Sequence, residues 1–290
     1  MRLYFLLVRR VPPVPSPLLV EVADRLRARG HEVESGTPEE MLVDADRLAS
    51  SHDLYLLKSH TELALSLAAC LDAQGARLLN PYPACAAAQD KVLAVRRLRA
   101  AGVPVPRTFV TADLVPLRRL LEERAPLLVK PVRGHRGAGV HVLHGPADLE
   151  DLPELTGPVV VQDLIDGPGE DLKVYVVGDR VWAVRKPFSA SSFSVPGRPV
   201  PVAPEIEELA LRAGAASGLG LYGLDIIESP DGPVVVDLNY FPGYKGCAGV
   251  AEPMARYIAA YAERGAELPL PPIGPLVDAA PLSAAVPAGV

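Results

Sequence analysis

Cysteine is scarce in this chain, and that scarcity already removes several classes of protein. The 290 residues include only Cys70, Cys85 and Cys247, an odd number with no CxxC spacing, so neither a disulfide framework nor a cysteine zinc site is indicated. A reducing cytoplasm is the compartment this implies. Long hydrophobic runs are also missing: no window approaches the roughly 18 uninterrupted apolar residues of a membrane span. The opening MRLYFLLVRR holds an apolar run of about six, short of a signal peptide, and two arginines and then prolines follow instead of a small-residue cleavage site. It reads as a buried first strand. There is no excess of positive charge, since 29 Lys plus Arg against 35 Asp plus Glu leave a formal charge of -6. That balance argues against a broad nucleic-acid footprint or an anionic membrane surface, while a local basic pocket stays open. Internal repeats and the Walker pattern GxxxxGK[ST] are absent.

What is present is an ordinary globular balance, 49% apolar and 22% charged, in a length that suits two packed domains or one elaborated domain. Leu3 to Val8 reads as a strand, Leu18 to Arg29 as a helix stopped by Gly30, and Asp53 to Leu57 as a second strand. Strand, helix, strand implies a parallel sheet. A helix over Leu63 to Leu71 and a short strand over Ala76 to Leu79 close this α/β unit near Asn80 and Pro81. Asp90 to Ala101 is a helix with a basic face, stopped by Gly102 and Pro104. Extended segments follow at Pro126 to Pro131, Gly139 to Leu143 and Val159 to Leu164. The run LKVYVVGDRVWAV, Leu172 to Val184, is a hairpin around a Gly-Asp turn. Ile206 to Ser217 is a helix, Gly223 to Ser229 and Pro233 to Asn239 pair across a Ser-Pro-Asp-Gly turn, and Met254 to Arg264 is a last amphipathic helix. After about Leu268 no period is sustained, and the Pro- and Ala-rich end reads as a loose tail. The expected units are residues 1–84, 85–160, 161–266 and the flexible tail 267–290.

Three segments carry chemistry. Leu127-Leu128-Val129-Lys130-Pro131 is a strand ending in lysine, followed by Val132-Arg133-Gly134-His135-Arg136-Gly137-Ala138-Gly139. Glycines let backbone N–H groups approach an anion, and the lysine adds a point charge, so phosphates can sit there. A tight turn beside a surface lysine is the plainer alternative. Asp225 and Asp237 lie twelve positions apart inside apolar β-runs that can pair across the turn. They would then stand side by side, with Asn239 on the face of Asp237 because strand side chains alternate. Two carboxylates and an amide oxygen are hard ligands suited to magnesium bridging nucleotide phosphates. Two solvent-facing acids are the alternative, disfavoured by the apolar flanks. Last, the apolar strand Val159-Val160-Val161 runs into Gln162-Asp163-Leu164, a junction able to border an adenine, though most such junctions are only a strand meeting a loop.

In order, Asp90-Lys91, Lys130-Pro131, the glycine loop, Gln162-Asp163-Leu164, Asp171 with Lys173, Asp225, Asp237-Leu238-Asn239 and Pro242-Gly243 resemble the ATP-grasp superfamily over roughly residues 85 to 262. The resemblance implies an α/β ATP-grasp fold, two α+β subdomains clasping ATP, behind a small parallel-sheet domain. It also implies that Lys91 and Lys130 contact the phosphates, that the loop with Gly137 and Gly139 closes over them, and that Gln162, Asp163 and Leu164 border the adenine. Asp171 and Lys173 would lie at the nucleotide, and Asp225, Asp237 and Asn239 would hold one or two magnesium ions, with manganese able to substitute.

Two branches look similar. The carboxylate-amine ligases of the RimK and LysX type share the compact length, the hairpin and the closing order of acid, Asp-x-Asn and Pro-Gly. They usually carry Glu where Asp237 stands, and an Asn with an Arg-Gly-Gly loop where this chain reads KPFSASSFSVPGRPVP. The inositol trisphosphate kinases resemble His52-Asp53 through Lys58, Lys130 with His135, KVYVVG, and the run from Asp237 to Tyr244. In that alternative Lys58, His135, Arg185 and Lys186 face substrate phosphates, and Arg133 and Arg136 can add to the basic pocket. The expectation adopted is an ATP- and magnesium-dependent ligase joining small amino-acid-like substrates, glutamate among them, with an inositol phosphate kinase as the alternative. Lys130, Arg185 and Lys186 are the expected catalytic residues. Lys58, His135, Arg136, Arg185 and Tyr244 are the expected substrate contacts. No nucleic-acid or membrane partner is expected, and a homo-oligomer is left open.

Overall fold

The computed structural model describes residues 1–134, 139–155, 157–187, 196–264 and 268–274. The chain opens with β1 (Arg2–Leu6), α1 (Pro17–Ala28), β2 (Glu32–Gly36), β3 (Leu54–Leu57), α2 (Glu62–Ala73) and β4 (Leu78–Leu79), whose strands form one parallel sheet in the order β2-β1-β3-β4. Local chemistry sets the ends of its helices. Pro17 occupies the first turn of α1, arginines lie in its last turn, and Gly30 follows at φ 84°. The Thr61 side chain caps α2 by accepting from the Ala64 amide.

Then come α3 (Tyr82–Gln89) and α4 (Lys91–Ala100), the latter capped by Asp90, which accepts from the Val92 and Leu93 amides. A four-stranded antiparallel sheet follows: β5 (Thr108–Thr111), α5 (Leu114–Arg124), β6 (Leu127–Pro131), β7 (His141–Leu143) and β8 (Val159–Asp163), ordered β5-β8-β6-β7. Because β8 belongs wholly to this sheet, the edge between the two antiparallel units falls after Asp163, not at residue 160. The remaining strands are β9 (Glu170–Val177), β10 (Arg180–Pro187), β11 (Arg198–Val200), β12 (Leu221–Ser229) and β13 (Gly232–Tyr240), with α6 (Pro204–Ser217) before β12 and α7 (Ala251–Arg264) at the end. They form a five-stranded antiparallel sheet ordered β11-β10-β9-β12-β13.

One continuous apolar core joins the parallel sheet to the five-stranded sheet, from Leu3 and Leu56 through Val174 and Leu224 to Ile258. Asn80 stitches the two at the chain level. Wholly buried, it donates to the Leu221 carbonyl at 2.7 Å and accepts from the Gly220 and Leu221 amides at 2.8 and 2.9 Å. The four-stranded sheet has a separate, smaller core around Leu117, Leu121, Leu127, Val129 and Val161.

Beside the short strands β5 and β11, three elements were not legible in the sequence. β2 is an edge strand carrying Glu32 and Glu34, which hid its β character behind charge. α3 (YPACAAAQ) buries only small side chains, Ala84, Cys85, Ala87 and Ala88, and has prolines at its start. α5 likewise begins around Pro116. The expected loose tail also needs correction over residues 268–274. Leu268 and Leu270 pack against the main core, and Arg97 donates to the Pro271 carbonyl at 2.6 Å. The rest of the tail lies outside the described residues.

Candidate active site

The second hairpin of the five-stranded sheet builds the centre of the site. Asp225 of β12 and Asp237 of β13 are register partners, and Asn239 two residues on stands opposite Gly223. All three side chains therefore share one face. A β-bulge follows at once: Ile226 pairs with Val235, leaving Val236 as the extra residue. Its carbonyl accepts a hydrogen bond from Lys130 Nζ at 3.0 Å, and this bond carries the lysine of the four-stranded sheet across to the acidic pair. Lys130 is buried, and desolvation lowers its pKa from lysine's usual value while Asp237 and Asp225 oppose that shift.

Pairing across the sheet extends the same face. Lys173 of β9 is the partner of Asp225, Asp171 is two residues before it, and Lys186 of β10 is the partner of Asp171. The Lys173 ammonium sits 2.9 Å from Asp171 Oδ2 and 2.7 Å from Asp225 Oδ2. Burial alone would lower its pKa, and the two carboxylates more than reverse this, so it lies above the usual value. Burial raises the Asp225 carboxyl, Lys173 draws it back down, and Asp237 adds to the rise. Lys186 is buried, and desolvation with the nearby Lys173 and Lys245 lowers its pKa.

The donor set fits a hard cation. Two carboxylates face each other with an amide beside them, and a lysine ammonium stands at ion-pair distance from one carboxylate as an internal stand-in cation. Among the described residues no three His, Cys, Asp or Glu side chains converge, so an ion here would depend on other donors, as magnesium does when it shares phosphate oxygens.

Arg185 departs from expectation. Consecutive strand residues face opposite sides, and Arg185 is the partner of the buried Leu172, so it lies on the face away from Asp225. There it forms a two-point pair with Glu228, at 3.0 and 2.6 Å. The alternation was available in the sequence and allows only one of Arg185 and Lys186 at the site. Tyr244 also departs: it is buried at φ 49°, its hydroxyl donates to the Val176 carbonyl at 2.7 Å, and it is a core residue rather than a substrate contact.

Other residues are placed as follows. Lys91 Nζ donates to the Gly134 carbonyl at 3.0 Å, at the start of the glycine loop. Gly139 has φ 70°, a conformation suited to glycine, and a Cβ there would press on the Pro131 ring. His135, Arg136 and Gly137 lie outside the described residues. Gln162 is buried and donates to Thr108 Oγ1 at 2.9 Å, while Asp163 is gripped by Arg124 at 3.1 and 2.6 Å. Leu164 is exposed. Lys58 ends 5.5 Å from the centre of the Phe241 ring, just beyond Asn239, and His60 stacks on Tyr240 at 4.1 Å. Sequence reasoning missed Arg124, Glu228 and the Val236 carbonyl. No local pattern marks any of them, because each acts through a partner far along the chain. Cys247 has its thiol pushed by burial up to about 12, so it is a protonated, poor nucleophile at neutral pH.

Two antiparallel sheets that meet at a lysine and a carboxylate pair, behind a parallel α/β unit, define the ATP-grasp fold. The structure of a RimK domain ATP-grasp protein from Sphaerobacter thermophilus matches it with a TM-score of 0.74 at 22% identity, covering 89% of this chain and 99% of that one. Residues 88–258 match the model of the RimK-like ATP-grasp domain, and the chain belongs to that family. A protein of Xanthomonas oryzae named probable alpha-L-glutamate ligase is 34% identical over 194 residues. That match covers 62% of this chain and 66% of the relative, just under two thirds of its length. A protein of Shewanella amazonensis named probable alpha-L-glutamate ligase 1 is 28% identical over 276 residues, 86% of this chain and 91% of the relative. Both relatives are named as ligases, and the inositol phosphate alternative gains no support. No helix among the described residues is long and apolar enough to cross a membrane.

Proposed function

We propose that this protein is an ATP-dependent ligase that joins the carboxylate of one small amino-acid-like substrate to the amine of another, with glutamate or a close analogue among them. One observation carries the reading: Asp225, Asp237 and Asn239 share a face onto which Lys130 crosses from the other sheet. Family membership and the ligase names of the relatives support it.

The substrate carboxylate attacks the γ-phosphorus of ATP, ADP departs, and the amine then displaces phosphate from the acyl carbon, losing a proton as the amide forms. Lys130 and Lys91 hold the phosphates, and the glycine loop keeps water from the acyl phosphate. Asp225, Asp237 and Asn239 would hold one or two magnesium ions, which would offset charge on the transferring phosphoryl group. Lys186 is assigned to the acceptor carboxylate, and Leu164 borders the adenine. Asp163, held in place by Arg124, lies beside it on that border. The cytoplasm is the compartment proposed.

The test measures ADP, free phosphate and product mass with ATP, magnesium and pooled amino acids. Equal ADP and phosphate with a new amide mass is expected, and Asp237→Asn should lower turnover by about 100-fold or more. ADP without phosphate, in a pool of inositol phosphates, would overturn the ligase reading.

A further inference from the structure

Lys173 is the most tightly held cation on the site face. Its ammonium bridges Asp171 and Asp225, at 2.9 and 2.7 Å, and only 15% of its side chain is exposed. An ion bound at Asp225 Oδ2 would compete with this bond for the same oxygen. Formal charge points the same way. The carboxylates of Asp171, Asp225 and Asp237 are matched by the ammoniums of Lys130, Lys173 and Lys186, with Lys91 and Lys245 close by, so the described residues of this face carry no excess of negative charge. A bare dication would enter a cluster with no spare negative charge and compete with Lys173 for Asp225, at a cost that grows as the local dielectric falls. Nucleotide phosphates change that balance, because they bring negative charge to Lys130 and their own oxygens to the ion.

We propose that Lys173 is a positioning residue that serves as internal counter-ion to Asp225 in the nucleotide-free protein, so that a divalent ion is taken up only together with nucleotide phosphates. The proposal rests on reading Asp225, Asp237 and Asn239 as the metal ligands. It requires that metal and nucleotide bind with positive coupling, and that the coupling resides in one ion pair.

Electron paramagnetic resonance of manganese counts bound ions in the full-length protein without reference to turnover. With wild type, ADP should tighten Mn2+ binding by a factor within the usual coupling range of about 5–150-fold. Lys173→Met should tighten nucleotide-free binding by about tenfold and leave ADP-bound affinity within about threefold, shrinking the coupling. Lys173→Arg, which keeps the charge and can grip both carboxylates, should behave as wild type. If Lys173→Met does not fold, Lys173→Gln carries the same expectation. Lys130→Met removes an equal charge without touching the pair, and an equal gain from it would overturn the ion pair in favour of general charge. Wild type that binds Mn2+ alone as tightly as Lys173→Met would overturn the proposal while leaving the metal site intact. Asp237→Asn with unchanged Mn2+ binding in the presence of ADP would overturn the metal-site reading itself.

Discussion

The two antiparallel sheets that meet at Lys130 are built on different footings. The five-stranded sheet shares its apolar core with the parallel sheet, so that β1, β3, β9, β12 and α7 are packed as one body. The four-stranded sheet rests on its own core, with Leu117 and Leu121 of α5 covering Leu127, Val129 and Val161. Among the described residues, Lys130 crosses between them to the Val236 carbonyl at 3.0 Å. Asp225 and Asp237 thus stand on the well-anchored body, while Lys130 stands on the separately cored one. A clasp needs this asymmetry, since elements that move over a ligand are drawn from the less stable part of a fold.

The sharpest way to break the comparison is to empty each core in turn. Leu121→Ala and Leu56→Ala each remove a buried leucine, with an expected cost of about 2–5 kcal/mol. Native-state hydrogen exchange should show faster exchange confined to β5 through β8 in the first case, and spread over both other sheets in the second. Equal loss of protection everywhere after Leu121→Ala would make the molecule one cooperative unit.

A smaller effect is expected at the chain end. Deleting residues 268–290 uncovers the surface under Leu268 and Leu270 and should lower stability by about 1–3 kcal/mol, read as a fall in melting temperature. An unchanged melting temperature would show that these contacts hold nothing.

Lys130 gives the finest test. Its pKa is lowered in the folded state, so its burial costs stability at neutral pH, and that cost is relieved only as pH rises through the lowered value. Lys130→Met should therefore raise the melting temperature of the empty protein by about 2–4 °C for each kcal/mol recovered, yet abolish the further rise that ATP produces. Binding of nucleotide at alkaline pH should also draw a proton onto Lys130, seen by calorimetry in buffers of different ionisation enthalpy. A destabilised Lys130→Met protein would contradict this sign.

The sequence made the acidic centre legible because it depends on short-range rules. Two apolar runs joined by a four-residue turn fix their own register, and period-two alternation puts Asn239 beside Asp237. The same rule, applied to Arg185 and Lys186, would have removed Arg185 in advance. The role of Lys173 was harder, for its partner Asp225 meets it only once β12 adds alongside β9, some fifty residues later in the chain. The Arg124 grip on Asp163 and the Glu228 grip on Arg185 depend on the same kind of distant pairing. Tyr244 was misplaced because an aromatic after Pro-Gly beside a site carries no local mark of whether it points inward.

The buried Asn80 has a consequence for modular engineering. Exchanging the parallel unit for that of a relative is an obvious route to a new acceptor, and the natural junction lies close to this residue. Its amide, however, meets both polar groups of Leu221 and the amide of Gly220, and the Leu221 carbonyl also accepts from the Phe241 amide at 2.7 Å. A graft that brings a different side chain to position 80 would take the Asn80 oxygen from the Gly220 and Leu221 amides, away from water. The portable cassette is therefore defined by one asparagine and the first residues of β12 together, two pieces of chain 140 positions apart.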